Sequence, residues 1–168
     1  MANDEHTDAA RALLRGISAR VTLFRENAEQ CLGQLDDQQM WFRRSPRENA
    51  IGNLVLHIVG STDQMINIIG RQPDTRDRPV EFSVTGGHPR DELSARLRAT
   101  LDRCCLLIDS LPLSRLTDPY PIQGTRTTVA YALIMAVSHL GLHLGQIQFI
   151  AKDLLQERYR EAVRRAPK

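Results

Sequence analysis

The stretch TTVAYALIMAVSHLGLHLGQIQFIAKDLL, residues 127–155, decides the fold of this chain. From Thr127 to Ala151 it contains no Asp, Glu, Lys or Arg, and it is apolar on nearly all sides of a helix. About 20 apolar residues are also enough to cross a bilayer. Polar side chains would each need a partner in lipid, and this stretch contains Tyr131, Ser138, His139, His143, Gln146 and Gln148. We therefore predict a helix in the interior of a soluble bundle, without a membrane partner.

Three further helices are predicted from apolar residues that recur every three or four positions. They run from about Asp8 to Gly33, from about Glu48 to Ile69 and from about Pro89 to Leu111. Residues 70–89, here called the crossover segment, are long enough to pass from one end of a bundle to the other, so helices two and three need not be antiparallel. Only VEFSV, residues 80–84, has strand character, and residues 112–127 are predicted as a loop. The expected fold class is all-α, a four-helix bundle.

Composition limits the classes of protein to which the chain can belong. Its 168 residues, 42% of them hydrophobic, fit one globular domain over residues 1–168 with a sizeable core. The formal charge of +2, from 22 Lys plus Arg against 20 Asp plus Glu, leaves no field that would attract nucleic acid. The three cysteines form no spaced framework, and the N-terminal MANDEHTDAA lacks the apolar run of a secretory signal. Both features favour the reducing cytoplasm.

Two histidines interrupt the apolar helix. His139 and His143 are four residues apart, so they project from the same face about 6 Å apart along the axis and suit one metal ion. The pair alone fits two hydrogen-bonded core histidines equally well. His57 lies in an equally apolar part of the second helix, NAIGNLVLHIVGST. Because three buried imidazoles each need a partner, a cation bound by all three becomes the leading hypothesis. Imidazole suits zinc, nickel, cobalt, iron and copper.

Polar residues at helical spacing from these histidines could orient the ligands or line a substrate cavity. They are Asn53, Ser61, Gln64 and Gln146. Taken singly, each is also compatible with an ordinary core hydrogen bond. Cys104 and Cys105 fall on the apolar stripe of the third helix and are predicted as core residues, with Cys104 a minor alternative as a fourth ligand. His6 and His88 lie in polar segments and are not predicted as ligands.

Three segments together resemble the DinB/YfiT-like superfamily of bacterial helical proteins: NLVLHIVGS (53–61), RDRPVEFS (76–83) and HLGLHLGQI (139–147). The resemblance spans roughly residues 49–155. It implies an up-down-down-up four-helix bundle, a metal triad of His57, His139 and His143, and pairing as a homodimer. It also implies a divalent transition metal, with zinc or nickel first and iron or cobalt as alternatives. Relatives include enzymes that use low-molecular-weight thiols, and others that are labelled metal-dependent hydrolases.

The resemblance leaves the reaction open. Thiol transferases of this superfamily carry an acidic residue close after the helix-two histidine, and no such residue is obvious here. Asp63 is six residues past His57, about 240° around the helix, and is expected to point away from the metal. One hypothesis is an enzyme that acts on a small molecule through metal-activated water or thiol, as a hydrolase or an S-transferase. The alternative is a non-catalytic metal-binding protein that acts in a stress response or in dimerisation. No catalytic residue other than the ligands stands out in the sequence.

Overall fold

A computed structural model describes residues 2–122 and 125–161. In chain order its helices are α1 (Ala2–Leu32), α2 (Asp37–Met40), α3 (Ile51–Ile69), α4 (Arg78–Ser83), α5 (Arg90–Ser110) and α6 (Val129–Leu155). Two antiparallel strands, β1 (Pro119–Ile122) and β2 (Thr125–Thr128), precede α6. Short 3₁₀ turns follow α5 (Leu113–Thr117) and α6 (Gln156–Arg158). The four long helices, α1, α3, α5 and α6, are those that the apolar periodicity predicts.

The predicted helix bounds differ from the observed ones mainly at two N-termini. The first helix begins at Ala2 rather than at Asp8, because residues 2–7 lack apolar periodicity but also contain no proline or glycine to prevent a helix. The second long helix begins at Ile51 rather than at Glu48. α6 begins after Thr128, whose side chain accepts a hydrogen bond from the backbone N–H of Tyr131.

Each long helix packs against two others, in the order α1, α5, α3, α6 and back to α1. α1 and α5 are antiparallel, since Arg11 donates to the Leu111 carbonyl at one end and Arg98 donates to Glu29 at the other. α1 and α6 are parallel. Phe24 lies against Gly141, and Gln34, just beyond α1, exchanges hydrogen bonds with the backbone of residue 160, just beyond α6.

α3 and α5 are parallel to each other. Trp41, before α3, donates to the carbonyl of His88, before α5, at 3.0 Å. At the other end Arg115, after α5, donates to the carbonyl of Ile69 at 2.8 Å. The directions are therefore up for α1, down for α3 and α5, and up for α6. The predicted all-α, up-down-down-up four-helix bundle is confirmed, and the crossover segment returns the chain to the end where α3 began.

Two predictions for the connecting segments are wrong. VEFSV was expected to have strand character, but residues 78–83 form α4, because Pro79 lies in its first turn and the Asp77 side chain accepts from the N–H of Val80. Residues 112–127 were expected to form a loop, but they contain a hairpin in which Tyr120 pairs with Thr127. Tyr120 is buried against the bundle, and this contact fixes the hairpin.

The prediction that α6 is interior on nearly all sides is also wrong. Its inner face is buried against α1 and α3. Its outer face leaves large apolar side chains exposed: Tyr131, Ile134, Met135, Leu142 and Phe149. Among the described residues, one segment, 129–158, is long and apolar enough to span a membrane. In this protein the segment is a bundle helix that turns two histidines toward α3.

Candidate metal centre

The three predicted histidines meet between α3 and α6. The antiparallel packing of these helices brings His57 opposite His139 and His143, and their ligand nitrogens all lie within 4.8 Å of one another. The Nε2 atom of His139 is 3.0 Å from Nε2 of His57 and 2.9 Å from Nε2 of His143. His57 is buried, while the other two rings are half-buried. The cluster is therefore closed on the α3 side and reachable from the α6 side.

A carboxylate on the crossover segment fixes the ring of His57. Oε2 of Glu81 lies 2.7 Å from Nδ1 of His57, and a carboxylate can only accept, so Nδ1 carries the proton and donates it. Arg76 binds both oxygens of Glu81, at 2.7 Å through Nε and at 2.9 Å through Nη2. Its Nη2 comes within 3.0 Å of the same Nδ1 because both groups share Oε2. His57 therefore turns an unprotonated Nε2 toward the other histidines.

The other two rings are held in the same way. Ser61 donates its hydroxyl proton to the carbonyl of Ile58, so its oxygen is free to accept from Nδ1 of His139 at 3.3 Å. Oε1 of Gln146 lies 2.7 Å from Nδ1 of His143 and accepts from it. Each Nδ1 thus has an oxygen acceptor, and each Nε2 presents a lone pair to the centre of the cluster.

Three lone pairs whose nitrogens all lie within 4.8 Å of one another repel unless a cation lies among them. Each imidazole is a neutral donor whose outer N–H is bound by an oxygen, which is the usual arrangement around a metal-bound histidine. The donor set fits zinc, nickel, cobalt, iron and copper. The three histidines therefore form a group able to hold one divalent metal ion, and three protein ligands leave room for a further one.

Glu81 is buried because α3 has a glycine opposite it. A Cβ atom at Gly60 would overlap Oε1 of Glu81. Beyond Glu81, Nη1 of Arg76 donates to Gln64 at 3.0 Å, and Gln64 donates to Asp74. This chain of hydrogen bonds fastens the crossover segment over the outer side of His57.

The predicted polar residues differ in their distance from the histidines. Ser61 and Gln146 contact imidazole nitrogens directly, whereas Gln64 reaches His57 only through Arg76. Asn53 is fully buried and holds the crossover backbone, donating to the carbonyls of Glu81 at 3.0 Å and Val84 at 2.8 Å. Its part in the site is to keep Glu81 in place.

Sequence reasoning missed Glu81, Arg76 and Phe82. Phe82 packs its ring on His57 with centroids 4.8 Å apart. All three residues belong to the segment RDRPVEFS, which the resemblance singled out, but the strand-like alternation of that segment gave no reason to bring it to the histidines. Asp63 was expected to point away from the metal, and it does point elsewhere, pairing with Arg103 on α5.

A family model described as the DinB superfamily matches residues 20–147. The chain belongs to the DinB superfamily. Solved structures that share its fold include the following three. A conserved protein from Enterococcus faecalis matches with a TM-score of 0.73 and 18% identity, over 82% of this chain and 94% of the other. DinB-like proteins from Bacillus cereus and Bacillus subtilis have TM-scores of 0.67 and 0.65 at 17% and 15% identity, each over 83% of this chain and 91% of the other. No curated protein matches the chain.

The cysteines of this DinB superfamily protein lie outside the histidine group. Cys104 is buried on α5, and burial raises the pKa of its thiol to about 12. Burial also raises the pKa of Cys31 to about 11. Both thiols therefore stay protonated near neutral pH in the absence of a metal. The minor alternative of Cys104 as a fourth ligand is not supported, since among the described residues the ligand group contains histidines alone.

Burial disfavours the protonated forms of His57 and His139 in this superfamily member. It lowers the pKa of His57 against the opposing effect of the Glu81 hydrogen bond. For His139, burial first and the neighbouring His143 and His57 next lower the pKa from 6.5 to about 4. Because metal ligands must be unprotonated, a lowered pKa extends binding to more acidic solutions.

The metal-free protein should lose stability as the pH falls from about 6.5 to about 4. In this range the unfolded chain protonates His139 more readily than the folded one does, so acid favours unfolding. Urea unfolding of chelator-treated protein at about pH 7 and about pH 5 measures the difference. His139→Gln removes this titrating group and should show a smaller decrease. An equal decrease in both proteins would contradict the assignment.

Proposed function

We propose that this DinB superfamily protein is a divalent-metal-dependent enzyme acting on a small molecule, with His57, His139 and His143 as the metal ligands. Zinc and nickel are the first candidates, followed by iron and cobalt. The observation that carries the proposal is the convergence of three Nε2 lone pairs, each fixed by an oxygen acceptor on Nδ1. The bundle has an extensive buried core, so it has no evident need of a metal to fold.

The chemistry follows from the donor set. A divalent ion with three neutral ligands lowers the pKa of a bound water or thiol and supplies a nucleophile at neutral pH. Glu81 holds His57 in the ligating tautomer. Together with Ser61 and Gln146, it orients the three rings so that each Nε2 faces the metal position. With water the reaction is hydrolysis, and with a low-molecular-weight thiol it is S-transfer to an electrophilic substrate. The substrate is a small molecule, and we expect the protein to act in the cytoplasm.

Metal content and turnover test this proposal. Untagged protein should contain about one equivalent of transition metal per chain by elemental analysis. The loaded protein is then assayed with a panel of esters and amides, and with thiols beside a model electrophile. A protein that neither contains nor binds metal would refute the proposal. Absence of turnover of every substrate by the metal-bound protein would favour the non-catalytic alternative.

We further propose that the protein forms a homodimer through the N-terminal part of the outer face of α6. Tyr131, Ile134 and Met135 are 49%, 53% and 40% exposed and lie within one turn of each other. α6 carries no charged side chain before Lys152, so two copies of this face can meet without charge repulsion. A second copy would remove this apolar surface from water.

Met135→Lys should convert the dimer into a monomer. An unpaired ammonium buried in an apolar interface costs several kcal/mol, which raises the dissociation constant by about 100-fold or more. Sedimentation velocity measures the change. Leu106→Lys is the control, because Leu106 is 69% exposed on a different helix, α5. A monomeric wild type, or a Met135→Lys protein that remains dimeric, would contradict the assignment.

A further inference from the structure

A groove of about 540 Å³ runs along α6 beside the histidine cluster. One side is α6, and the opposite side is the segment before α3, residues 42–49. Its apolar lining comprises Phe42, Leu54, Leu142, Phe149, Ile150 and Leu154. A concave, mainly apolar space of this size matches the usual dimensions of a small-molecule site.

The groove begins one helical turn from the metal ligands. Leu54 precedes His57 by three residues on α3, and Gln146 follows His143 by three on α6. Because the two helices are antiparallel, both residues lie on the same side of the histidines, about 5 Å along the axis. Gln146 lines the groove and also accepts from Nδ1 of His143 at 2.7 Å. A molecule in the groove therefore lies next to a ligand of the proposed metal.

Gly145 keeps the groove open. Glycine is a poor helix former and stands here in the middle of a 27-residue helix. Apart from the chain neighbours and the local helix backbone, no atom of the described residues lies within 4 Å of a Cβ built at this position, so packing within the chain does not require a glycine. At Gly141, in contrast, a Cβ would contact Phe24 at 3.5 Å. The missing side chain at Gly145 leaves space for an occupant from outside the chain.

The charged end of the groove disfavours an anionic occupant. Arg44 forms an ion pair with Asp153, and Glu48 accepts a hydrogen bond from the backbone N–H of Arg44 at 3.1 Å. This end of the groove therefore carries one positively charged side chain and two negatively charged ones. A neutral or cationic molecule fits this balance, whereas an added negative charge would meet an uncompensated carboxylate.

We propose that this groove is the substrate subsite of the metal centre and binds an apolar group, an aromatic ring or an alkyl chain, without a negative charge. The inference rests on the proposed enzymatic function, since the groove begins one helical turn from the metal ligands and Gln146 both lines it and contacts His143. The body of the substrate packs between Phe42 and Phe149, and the backbone of Gly145 forms the floor.

Two fluorescent probes that share one ring system test the chemistry. N-phenyl-1-naphthylamine is neutral, and 8-anilino-1-naphthalenesulfonate is the same molecule with a sulfonate. The neutral probe should bind wild type saturably, at about one per chain, and about tenfold more tightly than the sulfonate. Glu48→Lys should reduce or reverse this preference. The absence of saturable neutral-probe binding, or equal affinity for the two probes, would overturn the inference.

Gly145→Leu tests the location. The Cβ of the new side chain meets open space, and the rest of it takes up room in the groove, so binding of the neutral probe should weaken about tenfold or more. Gly16→Leu is the matched control, since its Cβ also meets open space on a helix, α1, far from the groove. Unchanged probe binding in Gly145→Leu would overturn the inference, and a simultaneous loss of dimer would assign the groove to a second copy.

The same titration separates this inference from the proposed function. The groove lining contains none of the three histidines, so chelator-treated wild type should still bind the neutral probe. Probe binding without any metal binding would refute the metal centre alone. Metal binding without probe binding would refute the subsite alone.

Discussion

Replacing His139 by alanine should abolish stoichiometric metal binding. Nε2 of His139 lies between the other two ligand atoms, 3.0 Å from that of His57 and 2.9 Å from that of His143. Without it, two imidazoles remain on opposite helices. Loss of an outer hydrogen-bond partner already costs about 10–100-fold in metal affinity, and loss of a ligand should exceed that range. Elemental analysis and competition with a chromophoric chelator measure the loss.

The control for this variant is His88→Ala. His88 is a surface histidine whose Nδ1 lies 2.9 Å from Glu92, outside the cluster. Its replacement removes one imidazole from the protein without touching the three ligands, so metal content should stay at the wild-type level. Circular dichroism should show both variants folded, because the His139 ring is only half-buried. One retained equivalent of metal in His139→Ala would contradict the assigned triad.

The four-helix bundle and the clustering of the three histidines could be predicted from the sequence. Apolar periodicity marks each long helix, and the length of the crossover segment allows α3 and α5 to run in parallel. The spacing of His139 and His143 places both on one face of α6, whichever neighbour that face contacts. The position of His57 opposite them follows from the antiparallel packing of α3 and α6, which the family resemblance implied.

The support of the histidines could not be predicted, because it depends on contacts distant in sequence. Glu81 lies 24 residues from His57, in a five-residue strand-like pattern that becomes a helix when Pro79 and Asp77 start it. Its burial requires the gap at Gly60, which a single sequence does not relate to residue 81. The outer face of α6 escaped prediction for a similar reason. Apolar composition shows that burial of a helix face is favourable. It does not show whether the same chain or another molecule buries that face.

Replacing Glu81 by alanine should weaken both metal binding and the fold. His57 would lose the acceptor that fixes its tautomer, which should lower metal affinity about 10–100-fold. Arg76, whose side chain is only 12% exposed in the wild type, would lose its carboxylate partner. Removing one partner of a buried ion pair typically costs about 3–5 kcal/mol, so the free energy of unfolding should fall by about that amount. Urea unfolding of metal-free protein and chelator competition measure the two effects separately.

Gly60→Ala tests the same support without removing any charge. The added Cβ would overlap Oε1 of Glu81, so the carboxylate must move away from His57 while Arg76 keeps a negative partner nearby. Metal affinity should therefore fall as in Glu81→Ala, but with a smaller loss of stability. Gly141→Ala is the matched control, since its Cβ meets Phe24 at an ordinary contact distance of 3.5 Å. Wild-type metal affinity in both Glu81→Ala and Gly60→Ala would show that the histidines need no support from the crossover segment.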